Sequence, residues 1–377
     1  MENQEIKQKP IVIDNGSGMI KAGFAGDDLP TCIFPSIVGK VKHQKVMVGG
    51  IQNNLYIGNS AEEFRGLLKL HYPIEHGIVT NWNEMEMIWN HVYSELNVKS
   101  QEHPVLLTEA PMNPKKNREK AIEIFFETYG VPSFYIAIQA VMALYSSGRT
   151  TGVVVDSGDG VTHIVPVYEG FSLPQSISRI NLAGRNITKY LQLLLRKSGY
   201  SFITSAEFEI VRNIKEQSCE LAQVFFKDQT EEFEKSIQPI QYQLPDKTEI
   251  QIGRERFQAP EILFRPEIIG LDYQGIHENL VNSIQKTDVD LRSRLYQNII
   301  LSGGTTMIPQ FGNRLLMETK NIAPKDINIR IIAPPERKFS IWIGGSILAS
   351  VSYFQKMWIS MNEYDETGVS IIHKKCF

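Results

Sequence analysis

Two short motifs of one design, centred on Asp14 and Asp156, constrain this chain more than anything else in it. Each is an apolar strand that ends in an aspartate, then a glycine-bearing turn, then a second strand. The first is PIVIDNGSG, followed by KAGFAGDD; the second is TGVVVDSGDGVTHIVPVYEG, residues 151–170. β-Branched residues before a glycine turn predict a hairpin in both places. Alone, DNGSG favours a plain hairpin in which Asp14 satisfies turn amides, and it does not match the P-loop spacing. A Gly-Ser-Gly tip also offers backbone N–H groups and a hydroxyl to an anion, above all phosphate. Repetition decides between these readings. Two copies 142 residues apart predict two similar α/β lobes facing each other. A third glycine turn follows an apolar strand at NIILSGGTTM, residues 298–307. Two acid-tipped hairpins and a Gly-Gly turn can clamp one nucleotide. Because Mg²⁺ and Ca²⁺ are hard cations that keep bound waters, Asp14 and Asp156 would hold those waters beneath the phosphates.

Bulk properties agree with this picture. A chain of 377 residues exceeds the size of one ordinary core. Apolar content of 42% and charged content of 21% describe a soluble globular protein. A net charge of −3 makes no general case for nucleic acid or membrane surfaces. Cys32, Cys219 and Cys376 are odd in number and far apart, as expected of reduced thiols inside a cell. No apolar run approaches the roughly 18 residues of a membrane helix, and the opening MENQEIKQKP lacks the apolar stretch of a signal peptide.

The longer blocks then become recognisable. YPIEHGIVTNW, EHPVLLTEAPMNPKKNRE, SGRTTGVVVDSGDGVTH, LSGGTTM, APPERK and WIGGSILAS, in that order, resemble the actin family over essentially the whole chain. The resemblance implies a two-domain α/β fold with duplicated mixed five-stranded sheets, and ATP or ADP with Mg²⁺ (or Ca²⁺) in the cleft. It implies an outer, smaller domain of residues 1–139 plus 340–377 and an inner, larger one of 140–339. The crossings would lie near residues 139–147 and 333–340.

Residue by residue, the likeness implies that Ser17, Gly18, Met19 and Lys21 hold the β- and γ-phosphates from one hairpin. Asp159, Gly160 and Val161 would hold them from the other, with Asp14 and Asp156 behind the cation's waters. Lys215, Glu216, Gly304, Thr305, Met307 and Lys338 would surround the base and ribose. Read without the likeness, IVRNIKE around Lys215 is a solvated amphipathic helix. Ile308 stands where conventional actin has an aromatic residue, which predicts weaker stacking in a pocket that stays apolar. Gln139 would position the attacking water, and His163 would relay its proton. Glutamine is no strong base, so hydrolysis would be slow and suited to timing assembly. Gln139 could instead bond backbone, and His163 could be a satisfied core histidine.

Assembly into filaments is the expected use. Residues 40–58, with Met47 and Ile51 among glycines, resemble the family's mobile loop, and residues 264–280 its apolar plug. Tyr145, Gly148, Thr150, Leu348, Val351 and Met357 resemble the groove where partners dock, with Tyr353 in place of a small residue. AEEFRGLL, FQAPEILFRPEIIG, DVDLRSRLYQNIILSGG and APKDINIRI look more like the centractin branch, which implies dynactin subunits and the dynein machinery as partners. FPSIVGK, HQKVMVG, APPERK and KKCF look like conventional actin, which implies partners such as profilin and myosin. The N-terminus lacks the cluster of adjacent acids that steers myosin, leaving Glu2 and Glu5 against Lys7 and Lys9. Both branches imply the cytoplasm and its cytoskeleton, with no nucleic acid and no membrane insertion. Sugar kinases and Hsp70-type chaperones use the same lobes. A kinase needs a further cleft acid and a chaperone a further domain, and the sequence offers neither. A nuclear actin-related subunit that never polymerises would not need the loop and plug.

Overall fold

The computed structural model describes residues 8–42, 55–222 and 237–376. Ile11, Val12 and Ile13 are fully buried in strand β1 (Ile11–Asn15). The Gly-Ser-Gly turn sends the chain back antiparallel as β2 (Met19–Phe24), and β3 (Cys32–Pro35) continues the meander. Two parallel strands, β4 (Val105–Glu109) and β5 (Ser133–Ile138), flank the other side of β1. Parallel neighbours need crossovers with helical cover. Helix α1 (Trp82–Leu96) lies on the route into β4: the Asn81 side chain caps its start, and Asn97 ends it in the left-handed region at φ 53°.

The second sheet repeats the order. β6 (Gly152–Ser157) pairs antiparallel with β7 (Thr162–Tyr168), and β8 (Phe171–Ser172) extends it. On the far side β9 (Ile299–Ser302) and β10 (Ile331–Ile332) run parallel to β6. Both sheets therefore share one five-strand order, and each gains a short addition. β11 (Ile359–Ser360) joins the first sheet beside β5, and Ser178–Ile180 joins the second beside β7.

Helix α2 (Gln139–Ser146) carries the chain from β5 into β6. Helices α3 (Gly184–Lys197) and α4 (Ser205–Ser218) bury Ile187, Leu191, Val211 and Ile214 in one cluster with Val153, Val155 and Ile164 of the second sheet. Helix α5 (Ser340–Ser350) follows β10, and so takes the chain back towards the first sheet. The two crossing helices pack so closely that a Cβ on Gly344 would lie 1.8 Å from the Met142 carbonyl oxygen. The first core continues into Val154, Val165 and Ile300, so the two sheets are joined through apolar packing as well as by covalent crossings.

The expected loop at 40–58 is closed at its base by Val38–Val41 pairing with Leu55–Ile57; residues 43–54, including Met47 and Ile51, lie outside the described residues. In the plug-like segment, Ile268 and Tyr273 are exposed, and Val351 and Tyr353 are exposed in the groove-like one. All three cysteines are free and buried. Among the described residues no helix is long and apolar enough to cross a membrane.

Candidate functional site

The two hairpins place their acids at corresponding points. In the first, register sets Asp14 across from Lys21, and the Lys21 ammonium donates to Asp14 Oδ2 at 2.7 Å. Thr108, near the end of β4, donates its hydroxyl to Asp14 Oδ1 at 2.8 Å. Gln139, the first residue of α2, brings Nε2 within 3.4 Å of Asp14 Oδ1 and of Thr108 Oγ1, and 3.5 Å of the Asn15 carbonyl. Asp14, Thr108 and Gln139 are buried, Asp14 with only 1% exposure.

In the second hairpin, register sets Asp156 across from His163, and β9 sets Ser302 beside Asp156. Burial pushes the Asp156 carboxyl up to about 6 against a hydrogen bond from Ser302; the charge of Asp14 adds to the rise and Lys21 opposes it. Its Oδ1 is buried with no hydrogen-bond partner. His163 is fully buried with neither ring nitrogen bonded. Burial, helped by the charge of Arg179, holds its pKa down at about 3, so the imidazole is neutral.

The tips of the hairpins meet. A Cβ on Gly18 would lie 2.7 Å from the Asp159 Cβ, and one on Gly160 would lie 2.8 Å from Ser17 Oγ. Only glycine lets the backbone come this close to the facing side chains. Ser17 Oγ accepts from the Gly77 N–H at 2.9 Å. His76 Nδ1 sits 2.7 Å from the Gly160 carbonyl, which can only accept, so Nδ1 carries the proton. Arg185 grips Asp159 Oδ2 through Nε at 3.0 Å and Nη2 at 2.9 Å while its guanidinium lies 4.1 Å over the Tyr72 ring. Val161 is buried and packs near Gly77. Met19 opens β2 and pairs with Pro35.

The third glycine turn closes on the same place. Gly303 has φ 87°, and a Cβ there would lie 2.8 Å from Asp156 Oδ1. Thr305 donates to the Gly158 carbonyl at 2.6 Å, and Lys215, from α4, donates to the Gly184 carbonyl at 3.2 Å. Lys215 is buried, which lowers its pKa against the pull of Asp159. Gly304 faces open space. Glu216, Met307 and Lys338 stand further out: Glu216 reaches Arg212 at 3.9 Å, Lys338 lies 6.0 Å over the Phe339 ring, and Met307 is 40% exposed. Ile308 is buried in the second core with Phe311, so it contributes an apolar wall.

The hairpins and the third turn thus bring Asp14, Ser17, Gly18, Lys21, Gln139, Asp156, Asp159, Gly160 and Thr305 into one region, and the Lys21 ammonium, engaged by Asp14, has further N–H donors to spare. Among the described residues no group of three or more His, Cys, Asp or Glu could hold a metal ion alone. A cation between the hairpins must therefore take most of its shell from water and phosphate oxygens. The unpartnered Asp156 Oδ1, the glycine cradles and the nearby ammonium fit that requirement. The actin family model matches residues 6–377. The chain belongs to the actin family. Actin-family proteins generally bind a nucleotide and a divalent cation. Sequence reading did not single out three contributors in this region: Thr108, Arg185 and Ser302.

Proposed function

We propose that this actin-family protein binds ATP with Mg²⁺ (or Ca²⁺), hydrolyses it slowly, and assembles into filaments. The observation that carries the reading is the tip-to-tip approach of Gly18 and Asp159, together with the buried, unpartnered carboxylate oxygen of Asp156 in the second hairpin. Backbone N–H groups of Ser17, Gly18 and Met19 and of Asp159, Gly160 and Val161 would take the β- and γ-phosphates, with Lys21 turning a donor to them. Asp14 and Asp156 would hold waters of the cation. When bound, the cation supplies neutralisation of phosphate charge, which together with positioning is most of what a loose phosphoryl-transfer transition state needs. Lys215, Glu216, Gly304, Thr305, Met307 and Lys338 would flank base and ribose, and Ile308 would back the base without stacking.

Gln139 would orient the attacking water. His163, kept neutral by burial, cannot rest as an imidazolium at neutral pH. It would pass a proton, taking it on one ring nitrogen as the other releases one, and would not store it. The lobes 1–139 with 340–377 and 140–339 would move about the packed helices α2 and α5. Within the family we favour a centractin-like subunit of the dynactin filament, serving dynein and microtubule-based transport in the cytoplasm. Support comes from the segments AEEFRGLL, FQAPEILFRPEIIG, DVDLRSRLYQNIILSGG and APKDINIRI. A divergent conventional actin of the microfilament cytoskeleton is the second reading, favoured by FPSIVGK and KKCF.

Thermal melts test the central claim. ATP with Mg²⁺ should raise the melting temperature by mass action, and EDTA should reverse the gain. No response to either would refute the nucleotide reading. Native co-purification separates the branches: dynactin subunits support the first, profilin and myosin the second.

A further inference from the structure

Thr108 lies in the block EHPVLLTEAPMNPKKNRE with no role assigned from sequence, yet its hydroxyl stands at the centre of the first acid's surroundings. It donates to Asp14 Oδ1 at 2.8 Å, accepts from the Asn15 N–H at 3.2 Å, and lies 3.4 Å from Gln139 Nε2. The Asp14 oxygen can only accept, so the Thr108 hydrogen points to it and the hydroxyl's lone pairs face Asn15 and Gln139. This fixes the chemistry around the Gln139 amide. Its three near neighbours, Asp14 Oδ1, the Asn15 carbonyl and Thr108 Oγ1, all act as acceptors. The NH₂ end must therefore face them. The opposite orientation would set the Gln139 carbonyl oxygen against a carboxylate and a carbonyl in a buried site, where unpaired oxygens are costly.

We infer that Thr108 is a positioning residue for hydrolysis: its hydroxyl fixes the Gln139 amide so that Oε1 is left to accept a hydrogen from the attacking water. The inference rests on the ATPase reading above and adds to it the element that orients the glutamine. The second hairpin supports the same logic, because Ser302 occupies the corresponding strand position beside Asp156. The equivalent strands of the two sheets each place a hydroxyl at one geometric point.

The test is a cycle with Thr108→Val, Thr108→Ser, Gln139→Ala and the Thr108→Val/Gln139→Ala double variant. Single-turnover phosphate release from MgATP is followed alongside ATP affinity and the Gln139 side-chain amide signals of ¹⁵N-labelled protein. Those signals are assigned by their loss in Gln139→Ala. Thr108→Val should slow hydrolysis about tenfold, the equivalent of one hydrogen bond in the barrier, with ATP affinity within about twofold. Thr108→Ser should restore the rate. The double variant should be no slower than Gln139→Ala, since Thr108 acts through the glutamine. The Gln139 amide signals should shift and exchange faster in Thr108→Val but not in Thr108→Ser. Additive slowing, or a parental rate in Thr108→Val beside a slow Gln139→Ala, would overturn the role of Thr108 alone. A parental rate in Gln139→Ala would overturn both it and the water-positioning role of Gln139. Should Thr108→Val not fold, amide exchange in the parent decides: an amide held by three acceptors exchanges slowly, and exchange as fast as a free glutamine overturns the inference.

Discussion

The two hairpins share a strand order, a register and a glycine-bearing tip, but they treat their acids in opposite ways. Asp14 faces a lysine and accepts from Thr108, so its charge is balanced within the fold. Asp156 faces a histidine that burial keeps neutral, and one of its oxygens has no partner. Duplication supplies the geometry, and the residue across the ladder decides what each copy does with it. The first hairpin is electrostatically complete before any ligand arrives. The second is short of positive charge, which a cation with its waters would provide. On this view the first hairpin contributes more to the stability of the free protein, and the second has more to gain from a bound cation.

The sharpest way to break the comparison is to remove each charge in the nucleotide-free protein. Asp14→Asn leaves the Lys21 ammonium unpaired with its side chain 11% exposed. Stranding one partner of such a buried pair typically costs about 3–5 kcal/mol, so urea unfolding should shift strongly to lower denaturant. Asp156→Asn removes a carboxylate that burial already disfavours, and stability at neutral pH should hold or rise. Cation affinity should fall in that same variant. Equal losses in stability for the two substitutions would show that the hairpins are electrostatically alike.

A smaller effect appears in pH dependence. Asp156 binds its proton more tightly folded than unfolded, so its contribution to stability is present below about 4 and is lost as pH rises through about 6. His163 has the opposite sign. Its folded pKa of about 3 means the unfolded chain takes up the proton first, so its contribution falls as pH drops below about 6.5. Each slope is about 1.4 kcal/mol per pH unit where only one state is protonated. The two therefore largely cancel between about pH 4 and 6. Asp156→Asn should gain on the parent as pH rises across that window, and His163→Leu should lose on it. Denaturant midpoints in pH steps would show both trends, and parallel profiles for the two variants would mean that one of the shifts has the wrong sign.

How much of this was legible beforehand follows from the range of each interaction. Strands β1 and β2, and β6 and β7, announce themselves through apolar alternation interrupted by glycine, because both partners of each ladder lie within about a dozen residues. Asp14, Asp156, Ser17, Gly18, Asp159 and Gly160 are local to those hairpins and could be named. Thr108 could not. It is one polar residue in the run VLLTE, and its place beside Asp14 depends on β1 pairing in parallel with a strand some ninety residues onward, in the register Ile13 to Leu107. Ser302 is hidden in the same way by the pairing of β6 with β9. Arg185 lies in the first turn of α3, and nothing in NLAGRNI shows that its guanidinium will clamp Asp159 and stack on Tyr72, more than a hundred residues earlier in the chain. The residues expected around the base depended on family likeness, and the outer ones among them, Glu216, Met307 and Lys338, carry no bond to the hairpins among the described residues.

The finest test of the comparison lies at the two residues facing the acids, and the smallest effect on stability is expected at His163. Lys21→Met removes the only ammonium bonded to Asp14 among the described residues and strands that carboxylate. The loss should be similar in size to that of Asp14→Asn, about 3 kcal/mol or more. His163→Leu changes a side chain of comparable bulk in the equivalent position, but deletes two ring nitrogens that the protein leaves unbonded. Removing unsatisfied polar atoms from a buried site is close to neutral or mildly stabilising, so the unfolding free energy at pH 7 should stay within about 1 kcal/mol of the parent. Phosphate release should nonetheless slow by about a hundredfold, the lower range for a lost proton-transfer group. A stability loss as large as that of Lys21→Met would mean His163 is held by buried partners such as ordered water, and that the second hairpin is as complete as the first. Neutral stability with an unchanged rate would leave the charge asymmetry standing and remove His163 from the proton path.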